Sequence, residues 1–275
     1  MLAAGRVSNG RKYSSDYGQT WSSMPHYNYQ GYTVTNPRKC AISASGQYRL
    51  FSSDSILHLS SDFGQSWTDI SAHTPSSAIT NIEISASGQY IAYSYFGEGL
   101  YDNGIMWSSD FGQSWTRKVS CTHAVYNMSM TKDGQYLIIS MAYWEEYDLR
   151  PYLARLYNYG ANLQYLYELG LNYSPDSYLA TSGDGSLFLK SVPYQYVRKS
   201  INQGASWTNP NNGIVTTFPL PAADFATNYK GNVIAMANSR GPDSSYGVWI
   251  SYDSGASWEK KLTYSGSLIT MNQSN

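Results

Sequence analysis

The 275-residue sequence carries 18 basic and 19 acidic side chains, a net charge of −1 and only 13% charged residues. No broad electrostatic field therefore draws it to nucleic acid or to an anionic membrane. Its longest apolar stretches are strand-sized, which excludes a transmembrane helix and membrane insertion, and two cysteines, Cys40 and Cys121, provide no disulfide framework.

In chain order, Met1-Leu2-Ala3-Ala4-Gly5 is too short for a signal peptide, and the first regular feature is Ser14-Ser15-Asp16-Tyr17-Gly18-Gln19-Thr20-Trp21. It returns nearly unchanged over 60–67 and 108–115, and more weakly over 200–207 and 251–258. Between them, Leu156-Tyr157-Asn158-Tyr159-Gly160-Ala161-Asn162-Leu163 has Asn in the Asp place, Gly in the Gly place and Leu in the Trp place. Marked at Asp16, Asp62, Asp110, Asn158, Asn202 and Asp253, the copies lie 46, 48, 48, 44 and 51 residues apart. The chain is an array of six repeats, and 1–275 reads as one domain.

A second phrase runs about twenty residues ahead of the first: Ser43-Ala44-Ser45-Gly46-Gln47-Tyr48, Ser85-Ala86-Ser87-Gly88-Gln89-Tyr90 and Thr131-Lys132-Asp133-Gly134-Gln135-Tyr136. Ser174-Pro175-Asp176-Ser177-Tyr178 and Lys230-Gly231-Asn232-Val233 read as its worn versions, and Gly183-Asp184-Gly185 as a separate turn signal. These turn clusters bracket β-branched and aromatic runs such as Tyr90-Ile91-Ala92-Tyr93-Ser94-Tyr95, the pattern of short strands. Four strands fit each repeat; in the third they fall near 79–85, 90–96, 104–109 and 114–119. The prediction is an all-β, six-bladed β-propeller with four antiparallel strands per blade. A ring needs no polar capping repeats, whereas a solenoid does. Met1 to Ser8 aligns with a second strand, and Leu268-Ile269-Thr270-Met271-Asn272-Gln273 resembles a first strand with no blade after it. The tail is therefore expected to supply the innermost strand of the first blade, so that N- and C-terminal strands close the ring. Cys40 falls in an inner strand as a free buried thiol, and Cys121 in a connection between blades.

The phrase Ser-x-Asp-x-Gly-x-Ser/Thr-Trp resembles the Asp box, or BNR repeat, of sialidase-like propellers, and the resemblance spans essentially the whole chain. It implies a hairpin turn between the third and fourth strands of each blade, with the Trp indole packed between blades. The implied structural positions are Asp16, Gly18, Trp21, Asp62, Gly64, Trp67, Asp110, Gly112, Trp115, Asn158, Gly160, Asn202, Gly204, Trp207, Asp253, Gly255 and Trp258. The chemistry agrees, since a short carboxylate accepts hydrogen bonds from nearby backbone N–H groups and Gly tolerates positive φ. A single carboxylate per box falls far short of the 6 to 8 oxygens that calcium takes.

In a four-stranded blade the first-to-second and third-to-fourth turns share one face, and both repeated phrases occupy it. Irregular connections belong to the opposite face, where binding resides on rigid scaffolds. Three are long: 96–103, 143–150 and 239–246. They carry the candidate ligand-binding rim of Tyr101, Asp102, Trp144, Glu145, Glu146, Tyr147, Asp148, Arg150, Arg240, Asp243 and Tyr246. Carboxylates beside aromatic faces hold sugars; the same residues also keep ordinary loops soluble.

The sialidase resemblance implies an Arg-Ile-Pro phrase, an arginine triad and a Tyr-Glu nucleophile pair, and this sequence has no Arg-Ile-Pro. His26, His58, His73 and His123 fall in different repeats without metal-ligand spacing, and no Gly-rich loop opens a helix to hold phosphate. No catalytic residue, metal or cofactor is expected. The reading is a non-catalytic recognition propeller for a glycan or a protein partner. The alternatives are a docking component of a larger cell-surface or virion assembly, and a glycoside hydrolase that pairs Glu145 or Glu146 with Asp102 or Asp243. With 27 tyrosines and abundant Ser, Asn and Gly the surface suits exposed recognition, while the compartment and oligomeric state stay open.

Overall fold

The computed structural model describes residues 2–3, 12–13, 20, 22–23, 28–29, 32–33, 37–53, 55–71, 78–97, 103–121, 124–145, 148–168, 178–191, 197–208, 223–238 and 247–262. Every regular element among them is a strand. The chain divides into two compact units, Met1–Val125 and Tyr126–Asn275.

In the first unit β1 (Leu2–Ala3), β2 (Lys12–Tyr13) and β3 (Ser22–Ser23) form an antiparallel sheet, followed by a small hairpin of β4 (Asn28–Tyr29) and β5 (Tyr32–Thr33). Repeat 2 is a four-stranded meander of β6 (Pro37–Ile42), β7 (Arg49–Ser53), β8 (Ile56–Ser60) and β9 (Thr68–Asp69). Repeat 3 follows as β10 (Ala78–Ile84), β11 (Ile91–Phe96), β12 (Asn103–Ser108) and β13 (Thr116–Cys121), each within two residues of its expected place. Leu50, Leu57 and Leu59 of one sheet pack against Ile79, Ile82, Ile84, Ile91 and Tyr93 of the next, giving the unit its core.

In the second unit, repeat 4 comprises β14 (Ala124–Met130), β15 (Tyr136–Glu145), β16 (Asp148–Tyr157) and β17 (Asn162–Glu168). Repeat 5 comprises β18 (Leu179–Thr181), β19 (Phe188–Ser191) and β20 (Val197–Ser200), with a bridge from Lys199 to Thr208 in the fourth-strand place. Repeat 6 comprises β21 (Ala223–Thr227), β22 (Ile234–Asn238), β23 (Gly247–Ser251) and β24 (Glu259–Leu262). Neighbouring sheets again interlock: Ile138 and Leu153 of repeat 4 cluster with Leu179 and Phe188 of repeat 5, whose opposite side, with Leu187 and Leu189, meets Phe225, Ile234 and Met236 of repeat 6.

The first-phrase turns are held by their own side chains. In repeat 2 the Asp62 carboxylate accepts from Ser60 Oγ, from the Ser66 N–H and from Ser66 Oγ, while Ser60 Oγ accepts from the Gly64 N–H at 2.7 Å and Gly64 O accepts from Trp67 Nε1 at 3.2 Å. The same set closes repeat 3 around Asp110, and Asp253 holds Ser251 and Ser257 alike in repeat 6. Two consecutive left-handed residues make the corner, Phe63 and Gly64 or Phe111 and Gly112, and only the second is glycine. Repeat 4 lacks the flanking serines and keeps the turn through backbone alone, with Asn158, Tyr159 and Gly160 all at positive φ.

The second phrase is also a turn, and repeat 5 corrects its expected position. Ser43 N–H donates to Tyr48 O while the Tyr48 N–H returns to Ser43 Oγ; Ser85 with Tyr90 and Thr131 with Tyr136 repeat the pattern. In repeat 5 the same bonds join Ser182 and Leu187, so the turn is Ser182-Gly183-Asp184-Gly185-Ser186-Leu187 and not 174–178. Box and turn meet in repeats 2, 3, 4 and 6: Phe63 donates to Gln47 O, Phe111 to Gln89 O, Tyr159 to Gln135 O and Ser254 to Asn232 O. Both phrases therefore share one end of the sheet, as expected. Turns of successive sheets are joined too, by Ala44 N–H to Ala86 O, Lys132 N–H to Gly183 O and Asp184 N–H to Tyr229 O. Cys40 lies in β6 as expected but is half-buried; Cys121 is the buried thiol, and it ends β13 rather than standing in a connection.

Asp62 and Asp253 are each held at about 2, well below the ordinary 3.8, first by the Ser66 or Ser257 hydroxyl and then by that serine's N–H. The unfolded chain takes up protons first as pH falls, so these boxes stabilise fully above pH about 4 and progressively less down to about 2. Asn202 makes the equivalent bonds to Ser200 and Ser206 without a titrating group. Replacing Asp62 and Asp253 by Asn is expected to flatten the fall of thermal midpoint between pH 4 and 2; an unchanged fall would place the acid sensitivity elsewhere.

Candidate functional site

One end of the sheets of repeats 2 to 6 is occupied by turns whose polar groups satisfy one another, which makes the opposite end the place to look for a site. There the β15–β16 hairpin stands out. Its strands are 10 residues each, against 5 in β7 and β8, 6 in β11 and β12, and 5 in β22 and β23. The register runs unbroken from Tyr136 opposite Tyr157 to Glu145 opposite Asp148. The stretch 143–150, expected to be an irregular loop, is thus largely paired strand; its charged residues interrupt hydrophobic alternation without interrupting the ladder.

Period-two geometry places Met141 and Tyr143 on one side of β15, with Arg150 and Tyr152 across from them on β16. Tyr165 of β17 completes the group. The Tyr143, Tyr152 and Tyr165 rings meet pairwise edge to face, with centroids 5.6, 6.1 and 6.3 Å apart, and the Tyr143 and Tyr165 hydroxyls are 2.8 Å apart. Tyr165 is 52% exposed, and Tyr143 and Tyr152 are half-buried. Such a cluster gives a pre-ordered aromatic surface with hydroxyl groups at its edge.

Of the expected rim, Arg150 stands beside this cluster, directly opposite Tyr143. Trp144, Glu145 and Asp148 are placed along the hairpin by their backbone. Tyr101, Asp102, Glu146, Tyr147, Arg240, Asp243 and Tyr246 lie outside the described residues, as do Asp16, Gly18 and Trp21 of the first box. Sequence reasoning passed over Tyr143, Tyr152 and Tyr165, although Tyr143 and Tyr152 were readable by extending the alternation of the 136–145 run into its partner strand. His58 is fully buried, hydrogen-bonds Ser53 and stacks on Phe51. Among the described residues no group of three or more His, Cys, Asp or Glu side chains is placed to hold a metal, and no helix is long and apolar enough to cross a membrane.

No protein-family model and no curated protein matches this sequence. Among solved structures, a protein assigned as TolB from Agrobacterium tumefaciens is similar at a TM-score of 0.55 and 13% identity, covering 83% of this chain and 80% of that one. The GH74 xyloglucanase of Xanthomonas campestris matches at 0.54 and 13%, covering 94% of this chain and 50% of its own. A prolyl endopeptidase matches at 0.55 and 10%, covering 82% and 36%. This chain thus spans half of the xyloglucanase and about a third of the endopeptidase. All three are β-propeller proteins, and the likeness defines the fold: an all-β chain of the β-propeller class, built from repeated antiparallel meanders. At these identities the likeness extends to fold and not to activity.

Proposed function

We propose that this chain is a six-bladed Asp-box propeller that acts as a non-catalytic recognition module and takes a glycan on the tyrosine face of its fourth blade. The observation that carries the reading is the Tyr143–Tyr152–Tyr165 cluster on the outsized β15–β16 hairpin, with Arg150 at its edge. Ordered aromatic faces bind sugar rings at little entropic cost, and the hydroxyls and guanidinium supply polar anchors. The Asp boxes contribute rigidity, because their carboxylates are committed to their own turns.

A glycan array run beside a fluorogenic sialoside assay tests this. The expected result is saturable array binding without turnover, weakened about tenfold by Tyr165→Ala, a loss of about 1.4 kcal/mol of stacking, with the thermal midpoint unchanged. Turnover would overturn the non-catalytic reading, and a blank array would replace the glycan by a protein partner. Ring closure is supported by the β1–β2–β3 sheet, in which the box region 14–21 falls between β2 and β3 as 60–67 falls between β8 and β9, so that β1 holds a second-strand place. Deleting 265–275 is therefore expected to lower the midpoint sharply; an unchanged midpoint would refute closure by the tail.

A further inference from the structure

One position recurs in repeats 2 to 6 beneath the box: the residue three places after the end of the second-phrase turn (Tyr48, Tyr90, Tyr136, Leu187 and Val233) and the residue facing it on the third strand. In repeats 2, 3, 4 and 6 the pairs are Phe51 with His58, Tyr93 with Met106, Ile139 with Ala154, and Met236 with Trp249. Box tryptophans cap two of these, Trp67 lying 4.7 Å from Phe51 and Trp115 4.8 Å from Tyr93. Repeat 5 differs. It places Lys190 opposite Arg198, with the Lys190 ammonium 4.5 Å from the ring of Trp207.

Like charges directly opposite each other in an antiparallel pair are destabilising, and more so when buried. Lys190 is 1% exposed, and its amine is held down at about 8 by burial and then by Arg198. The surrounding donors are equally unusual. Trp67 and Trp115 give their indole N–H to a box carbonyl at 3.2 and 3.1 Å, whereas Trp207 Nε1 is buried and has no hydrogen-bond partner among the described residues. Arg198 Nε is buried and unpartnered in the same sense. Two orphaned N–H donors thus belong to the side chains beside the Lys190 ammonium, one of them the second positive charge of the pair, and buried donors of this kind call for an acceptor.

We propose that Lys190, Arg198 and Trp207 form a site for a small oxyanion, a carboxylate, phosphate or sulfate group. A planar guanidinium edge, an indole N–H and an ammonium suit an oxyanion's divergent lone pairs, and the bound charge turns mutual repulsion into two charge-assisted contacts. Arg198 is half-buried and so keeps contact with solvent, while Arg155, committed to Gln164 and to Gln203 O, joins repeat 4 to repeat 5. The site is independent of the tyrosine face.

Thermal midpoints and tryptophan fluorescence are to be measured at pH 7 in a zwitterionic buffer, with sodium phosphate, sulfate or formate exchanged for chloride at constant ionic strength. Lys190→Met and Arg198→Met serve as variants, because repeats 6 and 3 already carry Met at those positions. The expected result is a saturable rise in midpoint for the parent protein with millimolar or tighter affinity, weakened at least tenfold in either variant. No rise beyond that in chloride, or an equal rise in both variants, overturns the site. Should a variant fail to fold, broadening of the phosphorus resonance by the parent protein, reversed by sulfate, is the second readout; its absence also overturns the proposal.

Discussion

Gly104→Ala is expected to lower stability by about 3 kcal/mol, with the loss concentrated at the β13 edge of the repeat 3 sheet. Gly104 faces Ser120 in the β12–β13 ladder, just before the register shift between Ile105 and Met106. A methyl group there would lie 2.2 Å from Val119 O and 3.2 Å from Arg117 Nε. The first of these atoms is backbone, so relief requires moving β13 and with it the bulge that sets its course. Gly247 is its counterpart in repeat 6, where a methyl group would lie 1.9 Å from Leu262 O and φ is +133°, so the same substitution there adds backbone strain to the clash. Gly46→Ala is the control: its methyl would find nothing nearer than 3.8 Å, leaving only the cost of φ +76°, roughly 1 to 2 kcal/mol. Urea denaturation of the three variants orders them, and a Gly104 variant as mild as the Gly46 variant would mean that β13 yields freely. Repeat 4 carries Tyr152 at the corresponding position, so the clash reflects the local courses of β13 and β24 and not the repeat as such.

Lys190→Met is expected to raise stability by about 1 to 3 kcal/mol at pH 7 in a buffer free of oxyanions. With the amine at about 8 against an ordinary 10.5, keeping it charged in the fold costs about 3 kcal/mol, part of which methionine recovers by filling the same space under Trp207. The pH dependence separates this from simple repacking. Between about 8 and 10.5 the unfolded chain retains a proton that the fold has released, so the parent protein gains stability as pH rises through that window. The variant lacks this gain, and the two curves should converge towards pH 10.5. Parallel curves, or a variant less stable at pH 7, would show that the ammonium is well compensated. Saturating oxyanion should close the gap at pH 7 as well.

The box was legible because its bonds run from side chains to backbone a fixed two to four residues away, as from Asp62 to Ser60 and Ser66, so geometry and spelling go together. Even the worn copy at Asn158 was found by spacing, and its backbone keeps the turn. The second phrase was harder. Its distance from the box depends on the connection between the second and third strands, and in repeat 5 the ending is Ser186-Leu187 in place of Gln-Tyr, which drew attention to 174–178. The hairpin at 143–150 was misread because Glu145 and Asp148 look like loop residues, although they form the closing pair of the β15–β16 ladder at the hairpin's end. Lys190 was invisible for another reason: it follows the apolar run Leu187-Phe188-Leu189 as an ordinary polar strand end would, and only its burial opposite Arg198 and beside Trp207 makes it exceptional.

The links between successive second-phrase turns, Ala44 to Ala86, Lys132 to Gly183 and Asp184 to Tyr229, join main chain to main chain. A seam of that kind is blind to spelling. Substitution can erase the phrase from one repeat after another, as it has from Ser182 to Leu187 and from Asn228 to Val233, without unpicking a stitch. The repeats are thereby free to age at different rates, and a residue as unlike its counterparts as Lys190 can enter one of them while the others carry the frame.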